Sequence, residues 1–212
     1  DASGRAAELT SQLLAYSRRG RLSVDTLDLS ELTRAMEILL RVSVPRSVEL
    51  AWNLADDLPP IEGDGTQLRQ VLLNLVVNGA EAVDAGGGTV TVTTRCGEFA
   101  SAELSQAVLP EDLKPGTYVV LEVTDSGCGM DAETRSRIFD PFFTTKFTGR
   151  GLGLAALQGI VRSHGGTILL DSEPGKGTTF RILLPVTDRK PQPSASTADA
   201  TEWHGAGRVL LA

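Results

Sequence analysis

The spacing of apolar positions changes repeatedly along this chain, and each change marks an element. Ala2, Ala6, Leu9, Leu13 and Tyr16 alternate gaps of four and three, which predicts a helix over residues 1–19 with a narrow apolar seam, ended by Gly20. A seam this narrow suits pairing with another helix better than packing onto its own domain. Asp28-Leu29-Ser30-Glu31 opens a second helix, with Ser30 as its N-cap, that runs to about Val44 and stops before Pro45. Alternation from Val48 to Leu54 predicts a strand, and Asp56-Asp57-Leu58-Pro59-Pro60 a loop.

The run from Asp64 to Val83 reads as a helix with a second message. Gln67, Gln70, Asn74, Asn78 and Glu81 recur at gaps of three, four, four and three, so they form one polar stripe. Apart from Arg69, nearly everything else from Leu68 to Val83 is apolar or small. A helix that is apolar around most of its circumference is buried, and its stripe must face either a polar cavity or a satisfied core network. Two asparagines one turn apart favour the wall of a site. Gly79 costs about 1 kcal/mol relative to alanine in a helix, which points to close approach by a neighbouring element.

Further along, Gly86-Gly87-Gly88 is a turn, Thr89 to Thr94 alternates like a strand, and residues 97–115 read as an irregular surface loop. Tyr118 to Thr124 is a continuous apolar strand that delivers a carboxylate into a glycine turn, Asp125-Ser126-Gly127-Cys128-Gly129-Met130. A short helix follows from Asp131 to Phe139 and a longer one from Leu152 to His164, ended by Gly165-Gly166. Thr167 to Asp171 and Thr178 to Leu184 form two strands joined around Gly175-Lys176-Gly177. Residues 187–206 are rich in Pro, Ser, Ala and Thr and read as a linker, after which residues 207–212 begin another apolar strand.

Composition narrows the function. The net charge of −7 argues against nonspecific nucleic-acid binding, so an anionic ligand must be met by local features. Cys96 and Cys128 lack metal-type spacing, which argues against a zinc site or a disulfide framework, and free thiols fit a reducing, cytoplasmic compartment. No apolar run approaches the length that spans a bilayer. The chain opens inside a helical pattern, so it is expected to be a fragment, whose parent is either soluble or membrane-bound.

The chemistry concentrates between Phe139 and Leu154, where Phe139-Asp140-Pro141-Phe142-Phe143 is followed by Thr144-Thr145-Lys146 and then by Gly149-Arg150-Gly151-Leu152-Gly153. Glycines let backbone approach a ligand closely, and a helix starting there directs free N–H groups and its positive dipole end into the loop. That combination suits phosphate, with Lys146 and Arg150 as nearby cations. Other nucleotide motifs fail: Gly175-Lys176 is followed by Gly177, not Ser or Thr as in a P-loop, and Gly127-Cys128-Gly129 lacks the third glycine of a dinucleotide fingerprint.

Five ordered segments resemble the catalytic, ATP-binding domain of sensor histidine kinases, within the superfamily that includes gyrase, the MutL repair proteins and a heat-shock chaperone. Asn74-Leu75-Val76-Val77-Asn78 resembles the N box, Asp125 to Gly129 the G1 box, Phe139 to Phe143 the F box, Gly149 to Gly153 the G2 box, and Gly175 to Phe180 the last glycine box. The resemblance implies an α/β two-layer sandwich, with a mixed sheet of about five strands covered on one face by three helices. ATP would lie between the 64–83 helix and a lid over 140–152. It implies that Asn78 holds Mg²⁺ through its amide oxygen, with Asn74 beside it in the catalytic pair. Asp125 would accept from the adenine amino group, supported by Thr178 through water. Gly127, Gly129, Lys146, Gly149, Arg150, Gly151, Leu152 and Gly153 would contact the nucleotide. Superfamily hydrolases carry a glutamate base where this chain has Asn74. An amide cannot take a proton from water at neutral pH, so transfer to a histidine is favoured over hydrolysis.

The resemblance also divides the chain. Residues 1–20 look like the second helix of a dimerisation hairpin, 21–186 the catalytic domain, 187–206 a linker, and 207–212 the start of a truncated receiver domain. The first hairpin helix, with its acceptor histidine, is missing. His164 reads as a structural helix cap and His204 falls in the linker, so no phosphoacceptor is expected in this chain. The implied partners are the hairpin that carries the acceptor, a receiver domain or response regulator, and a second copy in a homodimeric parent. Three rival readings are a superfamily ATPase acting by conformational change, a degenerate interaction module that binds no nucleotide, and a serine-specific protein kinase on this fold.

Overall fold

The computed structural model describes residues 24–83, 87–109, 113–146 and 151–189. The 1–19 seam, residues 190–206 of the linker and the 207–212 strand lie outside the described residues. A short strand β1 (Asp25–Leu27) is followed by helices α1 (Leu29–Ala35) and α2 (Glu37–Ser43), strand β2 (Val48–Leu54), strand β3 (Ile61–Gly63) and helix α3 (Gly65–Ala82). Strand β4 (Gly88–Phe99), the single-turn helix α4 (Ser101–Leu104), strand β5 (Gly116–Asp125) and helix α5 (Ala132–Arg137) come next. Helix α6 (Gly153–Ser163) and strands β6 (Thr167–Glu173) and β7 (Gly177–Pro185) complete the domain.

The five-stranded sheet has the order β2-β4-β5-β7-β6. The β2–β4 pair is parallel and the other three pairs are antiparallel, so the sheet is mixed, as expected. A parallel pair needs a crossover, and α3 supplies it. Alternate residues of the strands (Val90 and Val92; Val119, Leu121 and Val123; Phe180, Ile182 and Leu184) point to the helical layer and join Leu68, Val71, Leu72, Leu75, Leu157 and Val161 in one buried core. Full burial of each such side chain contributes roughly 1.5–3 kcal/mol. The opposite face carries an ion-pair ladder, in which Arg181 Nε lies 2.9 Å from Glu122 and Arg95 sits 3.9 Å from the same carboxylate.

Three sequence expectations need correction. The second helix is capped by Asp28, whose Oδ1 accepts from Ser30 N at 2.7 Å and Glu31 N at 3.0 Å. Ser30 is buried instead, donating to the Ala55 carbonyl at 2.7 Å and sharing a 2.6 Å hydrogen bond with Thr94 Oγ1. The same helix is two helices, broken at Met36, which is buried and serves both as C-cap of α1 and N-cap of α2. Finally, part of the 97–115 stretch is regular. β4 continues to Phe99, α4 follows, and Phe99, Leu104, Tyr118, Val120 and Leu183 form a second, smaller core on the outer sheet face. Val108 N donates to Ile168 O at 2.9 Å, which covers part of the β6 edge.

Two contacts set the register of α3 against α6. Asp64 caps α3 by accepting from Thr66 N at 2.8 Å, and its own N–H donates to His164 Nε2 at 2.9 Å. With Nε2 as acceptor, the ring carries its proton on Nδ1, which lies 2.8 Å from Ile160 O. At the other end, Asn74 Nδ2 reaches Gly153 O at 3.4 Å. Asp64 and Asn74 are roughly 15 Å apart along α3, and Gly153 and His164 roughly 16 Å apart along α6, at about 1.5 Å per residue. The matched lengths hold the helices antiparallel, with the C-terminal half of α3 beside the N-terminus of α6.

Candidate nucleotide-binding site

That arrangement leaves a cavity of about 710 Å³ between the end of α3, the end of β5, the start of β7 and the N-terminus of α6. Its polar lining includes Asn78, Glu81, Asp125, Lys146 and Thr178, and Gly129, Gly151, Leu152 and Gly153 also border it. Met130, Ile138, Phe143, Leu154 and Phe180 give it apolar walls. An apolar slot with a few convergent polar groups is the usual form of a small-molecule site.

Asp125 stands at the last position of β5, paired in register with Thr178 of β7. Its carboxylate is buried, and Oδ1 accepts from Gly127 N at 2.9 Å. Burial pushes the carboxyl above its ordinary range, while the Gly127 and Thr178 backbone amides and the Lys146 ammonium pull it back. Thr178 is also buried, with Oγ1 3.0 Å from Ser172 Oγ.

The glycine turn after Asp125 is held by backbone contacts. Cys128 N donates to Ala82 O at 3.0 Å, and Cys128 O accepts from Gly175 N at 2.7 Å. Gly129 (φ +65) and Gly177 (φ +88) both adopt left-handed backbone. A Cβ at Gly129 would collide with the Glu173 carbonyl oxygen, and one at Gly177 with that of Asp125. These glycines let two turns interlock beneath the cavity.

The opposite wall is α6. Leu152 is its N-cap and supplies no side-chain hydrogen bond to the first turn. Among the described residues nothing caps the first N–H groups, which lie at a positive dipole end beside the cavity. Just before α6, Gly151 O accepts from Phe142 N at 2.9 Å, and Phe142 itself has left-handed backbone (φ 70). The Arg137 guanidinium stacks over Phe143, 4.5 Å from the ring centroid.

Eight of the residues singled out in the sequence border this one cavity: Asn78, Asp125, Gly129, Lys146, Gly151, Leu152, Gly153 and Thr178. Asn74 is not part of the lining; its amide ties α3 to Gly153. Gly127 acts from behind, through its hydrogen bond to Asp125. Gly149 and Arg150 lie outside the described residues. Lys146 contacts α3, with Nζ 2.7 Å from Glu81 Oε2 and 3.3 Å from Asn78 O. The apolar walls were missed in the sequence, although the strand alternation around Phe180 and the aromatic pair at Phe142-Phe143 carried a signal for two of them. Among the described residues no helix is long and apolar enough to cross a membrane, and no group of three or more metal-binding side chains occurs.

Comparison with known proteins agrees with this geometry. The family described as histidine kinase-, DNA gyrase B- and HSP90-like ATPase matches residues 63–188. Sensor kinase CckA of Brucella abortus is 41% identical over 217 aligned residues, covering 98% of this chain and 22% of that protein. The chain thus spans under a quarter of this relative's length. Full-length ShkA in complex with AMPPNP superposes with a TM-score of 0.67 at 27% identity, covering 86% of this chain and 36% of the other. Histidine kinase ThkA in complex with the response regulator TrrA gives a TM-score of 0.63 at 28% identity, covering 88% and 48%. The chain belongs to the histidine kinase-, DNA gyrase B- and HSP90-like ATPase family, and its ATP-binding domain has the fold of the histidine-kinase catalytic domains.

Proposed function

We propose that this domain binds Mg-ATP and transfers the γ-phosphoryl group to a histidine presented by a separate hairpin helix, as the catalytic part of a two-component sensor kinase. The observation that carries the reading is one cavity with a buried Asp125 at one side and the uncapped α6 N-terminus at the other. Adenine presents an amino donor where guanine presents an acceptor. A buried carboxylate accepts from the first and is left unpaired by the second, so Asp125 selects adenine, with Thr178 supporting it through water. The α6 N–H groups, with Gly149, Arg150, Gly151 and Gly153, face the phosphates, and Lys146 adds charge.

Asn78 fits a magnesium site: it borders the cavity, and an amide oxygen is a hard, neutral donor. Bound there, Mg²⁺ would neutralise phosphate charge. The chain's own contribution is positioning, which is most of what phosphoryl transfer needs. Transfer is favoured over hydrolysis because Asn74 stands where superfamily hydrolases carry a glutamate base, and an amide cannot take a proton from water at neutral pH. Asn74 is an amide bonded to Gly153.

The acceptor comes from elsewhere. His164 is buried with both ring nitrogens engaged, and His204 lies outside the described residues. We assign residues 1–20 to the second hairpin helix, 21–186 to the catalytic domain, 187–206 to a linker and 207–212 to the first strand of a receiver. A hairpin in a homodimeric parent and a response regulator or receiver domain are the partners this reading requires; ThkA, a structural neighbour, is captured with a response regulator.

Incubation with labelled ATP and Mg²⁺ tests the reaction. Label should appear as acid-labile phosphohistidine on an added hairpin domain and not on this chain. Steady-state phosphate release without transfer would favour an ATPase, and absence of ATP binding in calorimetry would favour a degenerate module.

A further inference from the structure

Lys146 and Glu81, both lining the cavity, form an ion pair from positions 65 residues apart in sequence. Lys146 Nζ lies 2.7 Å from Glu81 Oε2 and also donates to the Asn78 carbonyl at 3.3 Å. Both side chains border the cavity and are partly exposed, at 34% for Lys146 and 51% for Glu81. Glu81 sits one helical turn beyond Asn78, at the end of the polar stripe of α3. The cation is therefore parked on α3.

We infer that Glu81 is a positioning residue that competes with nucleotide phosphate for Lys146. The inference rests on the ATP-binding reading given above. A half-exposed pair of this kind is weak, because water screens it and two long side chains must be immobilised to keep it. A polyphosphate offers Lys146 several anionic oxygens in place of one carboxylate, so exchange costs little and gains charge. Glu81 then acts in two ways. Without nucleotide it fixes Lys146 and the segment before it against α3. With nucleotide it gives up its partner, and the ion pair that must be broken to free Lys146 lowers affinity. When phosphate charge leaves after transfer, Lys146 returns to Glu81, and release of the diphosphate is eased. The carboxylate thus sets how tightly the site holds nucleotide without touching the reacting atoms.

Calorimetry with ATP on four proteins tests this: wild type, E81Q, K146M and the double variant. E81Q should bind ATP about three- to tenfold more tightly than wild type, and K146M should bind more weakly. In the K146M background, E81Q should give little further gain, because the competition has gone. E81D, which keeps the charge, should stay close to wild type. Hydrogen exchange over Thr144–Lys146 in nucleotide-free protein should be faster in E81Q than in wild type. Unchanged or weakened ATP binding by E81Q would overturn the inference, as would an equal gain in the K146M background, which would make Glu81 a mere source of like charge. Identical nucleotide-free exchange in wild type and E81Q would overturn it as well. This last readout needs no ligand, so it separates failure of the Lys146–Glu81 exchange from failure of the ATP-binding reading itself.

Discussion

Gly79 of α3 and Asp125 of β5 sit face to face: a Cβ added to Gly79 would lie 3.2 Å from the Asp125 Cβ and 3.6 Å from its Oδ2. The close approach inferred from a glycine in mid-helix is thus an approach to the carboxylate itself. Gly79→Ala gains about 1 kcal/mol of helix propensity and spends it by pushing Asp125 a few tenths of an ångström. Stability should change by less than about 1 kcal/mol, while ATP affinity falls at least about threefold if the displaced carboxylate holds adenine as proposed. Calorimetry giving the same ATP affinity for both proteins would separate Gly79 from nucleotide recognition.

Replacing Asp125 itself should divide binding from stability. Asp125→Asn keeps an oxygen for the Gly127 N–H but turns the other acceptor into a donor. ATP affinity should drop at least about tenfold, the scale of 1.4 kcal/mol. The fold should not suffer. Burial raises the Asp125 carboxyl above the ordinary aspartate range, so the folded state binds this proton more tightly than the unfolded chain does. Stability is then lost as pH rises from the ordinary aspartate value through the raised one. The asparagine variant escapes that loss. Its melting temperature relative to wild type should climb across this pH window and hold its gain at neutral pH. A difference that is flat or falling with pH would show that Asp125 is not held above its ordinary range.

Much of the site could be read before the fold, because its parts are local. The alternation of β5 ends on Asp125, the stripe on α3 ends on Asn78 and Glu81, and the glycines mark where chain must turn or approach. What stayed hidden depends on partners distant in sequence. Asp28 and Ser30 are both good caps. Asp28 has the capping-box spacing to Glu31, but what decides between them is that Thr94 and Ala55 claim Ser30 from the sheet. The 97–115 stretch looked irregular because Phe99 and Leu104 meet Tyr118, Val120 and Leu183 rather than one another's neighbours in sequence. β1 and β3 are three residues each, too short to show a period. Lys146 reads as a phosphate ligand from its segment alone, and its resting partner Glu81 lies on another element.

The interlocked turns under the cavity predict an asymmetry between glycines. Gly177→Ala places a Cβ against the Asp125 carbonyl at a left-handed backbone position. It should cost at least about 2 kcal/mol. Gly159 lies in α6 with nothing within 4 Å of an added Cβ. Gly159→Ala should stabilise by up to about 1 kcal/mol. Urea midpoints for the two variants, shifted in opposite directions from wild type, are the expected result. A mild effect at Gly177 would contradict the tight contact between the two turns.

His164 provides the sharpest separation of structure from chemistry. A histidine in a chain of this family invites assignment as phosphoacceptor. Here the ring is buried, Nε2 accepts from the Asp64 amide, and Nδ1 faces the Ile160 carbonyl. Neither nitrogen is available to attack phosphorus, and freeing either would leave a buried backbone group unpaired. His164→Ala removes an acceptor at the cap of α3 and leaves a cavity where the ring stood. It should destabilise by roughly 2–4 kcal/mol. His164→Gln, whose side-chain oxygen can still accept from Asp64 N–H, should recover part of that loss. At a temperature where both variants remain folded, each should bind ATP and label an added hairpin domain at close to the wild-type level. Loss of transfer in a variant that is folded and binds ATP would give His164 a chemical role that its hydrogen bonds do not support.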